Sequence, residues 1–73
     1  MSRLKQQPES TMRRIRRART LSQDQLAALV GVSQDAISRA ERGIMPRVDV
    51  QESIAAILGA SRHELFPESK VTA

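Results

Sequence analysis

A chain of 73 residues with 40% apolar positions and one aromatic, Phe66, allows a single small domain with an aliphatic core. It has no cysteine, which removes disulfides, thiolate metal sites and thiol chemistry. No apolar run approaches a signal-peptide core or the roughly 20 residues of a membrane span, so a soluble, cytoplasmic protein is expected. Residues 1–19 hold seven basic groups against Glu9 alone, whereas the rest hold five against seven acids. The net charge of +4 therefore conceals a basic N-terminal stretch that suits a polyanion, nucleic acid before anionic membrane.

Helical spacing dominates the chain, and no internal repeat or low-complexity tract interrupts it. Residues 1–10, broken by Pro8, read as a flexible basic arm carrying Arg3 and Lys5. Ser10 then serves as N-cap for a helix over about 11–19 that aligns Met12, Ile15, Arg16 and Arg19. Ser22 and Gln25 fit a capping box, with Leu21 and Leu26 as a hydrophobic staple, for a second helix running to about Val30. Gly31 supplies the left-handed residue that ends this helix, and Ser33 caps a third over about 34–42, before Gly43. Three residues, Gly31, Val32 and Ser33, separate the two helices, so the chain turns sharply between them.

Pro46 blocks helix in the following connection, and Asp49 with Glu52 suggests the cap of a fourth helix. Val50, Ile54, Ile57 and Leu58 share its inner face, and Gly59 ends it. Ser61 and Glu64 form another capping box for a short fifth helix bearing Leu65 and Phe66 and closed by Pro67. The expected architecture is all-α, five short helices over 11–66, with a disordered tail at 67–73. Ile44, Met45 and Phe66 fit either the core or an exposed apolar patch used for pairing.

At 100° per residue the third helix divides into two sides. Ala36, Ile37 and Ala40 lie on one; Gln34, Asp35, Ser38, Arg39 and Arg42 lie on the other, with Glu41 at the seam. An ordinary amphipathic helix with a wet face fits this pattern. So does a helix laid in the DNA major groove, where amides and guanidinium groups pair with base edges. The wheel alone does not choose between them.

From Gln23 onward the residues resemble the helix-turn-helix of the Cro/CI-like phage repressor, or XRE, family: Gln23, Leu26, Ala27, Val30, Gly31, Val32, Ile37 and Ala40. The likeness extends to Ile15-Arg16, to Glu41-Arg42-Gly43 and to Leu58-Gly59-Ala60-Ser61, covering roughly residues 11–66. It implies a lambda-repressor-like fold with the helix-turn-helix in helices two and three. It also implies roles: Arg16 pairs with Glu41 to tie helix one to helix three; Gln23 and Ser33 contact DNA phosphates; Gln34, Asp35, Ser38 and Arg39 face the bases. Arg42 and Arg47 flank the next loop as further phosphate contacts. Asp35 stands where relatives often have a neutral residue, and it either accepts from cytosine N4 or holds Arg39 four residues on. Ile44-Met45 stands where relatives often place basic residues, so backbone grip is expected to shift to the arginine-rich first helix and the arm.

No serine has the histidine and acid that nucleophilic catalysis needs, and His63, the sole histidine, lacks companions for a metal. No enzymatic activity, cofactor or metal is expected. The expected function is a sequence-specific double-stranded DNA-binding transcriptional repressor. It would act as a homodimer through the C-terminal helices, roughly 50–66, on a palindromic site with half-sites about one turn apart. The alternatives are an antitoxin-type autoregulator of a toxin-antitoxin operon and a protein-interaction adaptor on the same fold.

Overall fold

Serine hydroxyls open four of the five helices in the computed structural model, which describes residues 10–67 and contains no strand among them. The expectations for the basic arm and the tail therefore fall almost wholly outside the described residues. Ser10 accepts from the Arg13 N–H at 3.0 Å to start α1 (Thr11–Ala18). Ser22 and Gln25 cap each other's backbone at 3.0 and 2.8 Å to start α2 (Gln23–Val30). Ser33 accepts from Ala36 at 3.1 Å at the head of α3 (Gln34–Glu41), and Ser61 accepts from Glu64 at 2.9 Å at the head of α5 (Arg62–Leu65). Each cap satisfies one of the N–H groups that a helix start leaves without a partner.

The fourth start departs from expectation. α4 (Val48–Leu58) begins one residue before Asp49, its N-cap is Arg47, and no side chain caps it. Asp49 instead sits inside the first turn, where its carboxylate accepts from the Arg47 guanidinium at 2.9 Å and from the Val50 N–H at 3.0 Å. The boundary is set from the far side of the turn. Gln51 is buried and donates to the Pro46 carbonyl at 2.7 Å, which pins the chain entering the helix. The first and third helices end one residue earlier than their spacing suggests, with Arg19 and Arg42 as C-caps.

All four longer helices close alike, through an N–H reaching back five residues: Leu21 to Arg16, Val32 to Ala27, Ile44 to Arg39 and Ala60 to Ala55, at 3.0–3.2 Å. This closure needs one left-handed residue. Three of the helices use glycine, but α1 uses Thr20 at φ 57°, a β-branched residue where such a conformation is costly.

α2 packs on α3 and α4, α4 packs on α5, and α5 packs on α1. Met12, Leu26, Ile37, Ile54, Leu58 and Phe66 are at most 2% exposed and form the centre of the core. Burying each contributes roughly 1.5–3 kcal/mol. Phe66 thus belongs to the core, whereas Ile44 and Met45 remain exposed on the α3–α4 loop. Arg16 of α1 and its C-cap Arg19 lock the helix in place. Arg16 donates to the Leu21 carbonyl at 2.7 Å, and Arg19 donates to the Leu58 carbonyl at the end of α4 at 3.0 Å. The Arg19 guanidinium passes so close to Gly59 that a Cβ there would lie 3.2 Å from it.

Candidate nucleic-acid interface

α3 presents its two sides as different chemistry. Ile37 and Ala40 are buried against α2 and the core, while Gln34, Asp35, Arg39 and Arg42 are exposed and Ser38 is half-buried beside them. The apolar side fixes the helix, and the polar side is left as a continuous row of donors and acceptors. Ser33 accepts the capping N–H and so keeps its own O–H as a donor at the same helix end.

Charge along this row is balanced locally. Arg39 Nε lies 3.0 Å from Asp35 Oδ2 one turn earlier, with both side chains more than half exposed. Arg47 and Asp49 form a second exposed pair across the start of α4. The hydrogen bond from Arg47 holds the Asp49 carboxyl below its ordinary 3.8, so that contact is intact above this pH and is lost as pH falls through the lowered value. Solvent screens exposed pairs of this kind, so they add little to stability and an incoming anion can exchange with the carboxylate.

Beneath the row lies a buried pair. The Arg16 guanidinium grips the Glu41 carboxylate from two nitrogens, Nε to Oε2 and Nη2 to Oε1, the latter at 3.3 Å. The two side chains are 8% and 4% exposed. Gln23, at the head of α2, donates its amide N–H to Glu41 Oε1 at 3.0 Å, and its own Oε1 accepts from the Gln34 amide. Gln23 is half-buried and Gln34 exposed, so a single polar chain runs from the interior to the surface of α3.

Spacing did not point to Gln51 or Thr20, and it aligned Arg19 with Met12, Ile15 and Arg16 without indicating its partner, the Leu58 carbonyl. Gln51 had a legible signal, since it shares the inner face of α4 with Ile54, Ala55 and Leu58, where a polar side chain needs a partner. Its carbonyl oxygen accepts from Arg62 at 3.4 Å, so it links the α3–α4 loop to α5. Among the described residues no group of His, Cys, Asp and Glu is arranged to hold a metal, and no helix is long and apolar enough to cross a membrane.

The helix-turn-helix domain family matches residues 10–66. The chain belongs to the helix-turn-helix family. The XRE-type likeness drawn from Gln23, Ala27, Gly31 and Ile37 is thereby supported, and α2 and α3 are the two helices of this unit. Among solved structures, the chain is similar to the N-terminal DNA-binding domain of the master biofilm-regulator SinR from Bacillus subtilis. The likeness covers 85% of this chain and 93% of that one, with a TM-score of 0.69 and 28% identity. No curated protein matches the chain.

Proposed function

We propose that the protein is a double-stranded DNA-binding transcriptional regulator, a cytoplasmic repressor that binds a palindromic operator as a homodimer with α3 in the major groove. The observation that carries this reading is the row of exposed Gln34, Asp35 and Arg39 with half-buried Ser38 on the second helix of a helix-turn-helix. Similarity to a DNA-binding domain of the SinR regulator supports it.

In this reading Gln34 and Arg39 read bases. Gln34 pairs with adenine, and Arg39 leaves Asp35 to grip guanine O6 and N7, with Ser38 and Asp35 beside them. Gln23 and Ser33 hold phosphates at the heads of α2 and α3, where backbone N–H groups and the helix dipole already favour anions. Arg42 and Arg47, both exposed, flank the α3–α4 loop and add backbone grip. Pairing is assigned to the C-terminal helices, roughly 50–66, and Val48 at the head of α4 is exposed. The sole aromatic, Phe66, is buried, which leaves the surface without the aromatic anchors that an adaptor would use and favours DNA as the partner.

The test is selection of purified protein against a randomised duplex library at near-physiological salt, followed by sequencing. An enriched palindrome with half-sites about one helical turn apart is the expected result. Recovery of unenriched duplexes would remove specific readout and leave the adaptor reading.

A further inference from the structure

Glu41 lies too deep to reach a base, yet it stands at the inner end of a polar chain that runs from the interior to the exposed face of α3. A carboxylate paired with a guanidinium offers acceptors alone. The Gln23 amide must therefore turn its NH₂ toward Glu41, which leaves its oxygen facing Gln34. Gln34 in turn must present its NH₂ to that oxygen. Its second N–H and its own Oε1 remain for the groove, one donor beside one acceptor. That pair complements the N7 acceptor and N6–H donor of adenine and mismatches guanine, whose O6 and N7 both accept.

We propose that Glu41 is a specificity-determining positioning residue: its charge fixes the polarity of the Gln23 and Gln34 amides and so makes Gln34 an adenine reader. The inference rests on the DNA-reading role of Gln34 given above. Without an acceptor-only group at the base of the chain, each amide could turn over with the same shape and the opposite hydrogen-bonding pattern. Glu41→Gln makes the reversal directional. Both carboxylate positions face Arg16, but the Nε contact to Oε2 is the shorter, so the new amide keeps its oxygen there and sets its NH₂ at the Oε1 position facing Gln23, giving up the 3.3 Å contact from Arg16 Nη2. Gln23 then turns over and donates to the Gln34 oxygen, and Gln34 is left showing two donors, the complement of guanine.

The experiment compares wild type, Glu41→Gln, Gln23→Met and Gln34→Ala in the same randomised-duplex selection, with circular dichroism and thermal melting on each. The base pair at issue is the one whose preference Gln34→Ala abolishes. At that position wild type is expected to favour adenine over guanine by at least about tenfold, in keeping with a bidentate pair. Glu41→Gln is expected to reverse the preference. Gln23→Met removes the relay but leaves the Arg16–Glu41 pair intact, and is expected to bring the two bases near parity. A folded Glu41→Gln with the wild-type preference overturns the proposal. If Glu41→Gln does not fold, Gln23→Met decides: uniform weakening on all duplexes with an unchanged adenine-to-guanine ratio overturns it. If Gln34→Ala changes no preference at any position, the base-reading role of Gln34 itself is wrong, an outcome distinct from failure of the relay.

Discussion

Two ion pairs that involve α3 behave oppositely because one is dry and the other wet. Arg16 and Glu41 are almost without solvent contact, so removing one partner strands a buried charge. Glu41→Ala is expected to lower unfolding free energy by about 3–5 kcal/mol in urea titration. Asp35 and Arg39 stand in water, and Arg39→Ala is expected to change stability by less than about 1 kcal/mol. Its effect falls on recognition instead. Discrimination at one base pair should drop by about 1–3 kcal/mol, read by competition between matched and mismatched duplexes, with the melting curve essentially unmoved. An unchanged base preference in a folded Arg39→Ala would count against its assignment.

At the level of elements, helix starts and stops share a small chemical vocabulary, and this made most of the fold legible. Serine followed three residues later by Gln or Glu marks α2 and α5, and glycine marks three of the four left-handed closures. These signals are local, since cap and capped group lie within one turn. The start of α4 was not legible in the same way, because it depends on a buried Gln51 reaching the Pro46 carbonyl. Nor was the end of α1, since Thr20 carries no sequence mark of a left-handed residue. Thr20→Gly is expected to raise stability by about 1 kcal/mol by relieving that conformation, measured by thermal melting, and to leave DNA selection unaltered.

The whole molecule carries its charge unevenly, with exposed Arg13, Arg14 and Arg17 on α1 adding to Arg42 and Arg47 around the loop. Binding to DNA should therefore weaken steeply with salt on a log–log plot. Arg42→Ala is expected to reduce that slope by about one and to leave base preference intact, as a phosphate contact would. The polar row on α3 was legible from the helix period, because Ile37 and Ala40 oriented the wheel, although the period alone did not assign that row to DNA. The chain from Glu41 through Gln23 to Gln34 was not. It joins residues of two helices whose crossing fixes which amides meet, and periodicity along one helix holds no information about that crossing.

The locking of α1 also bears on the order in which the protein assembles. Arg16 finds its partner 25 residues later and Arg19 finds its partner 39 residues later, so the first helix to be synthesised waits for the later ones. α2 and α3, joined by a three-residue turn, meet through short-range contacts and close early. Until α1 arrives, the Glu41 carboxylate stays hydrated. The arrival of α1 is the step that dehydrates Glu41 and sets the polarity of everything above it.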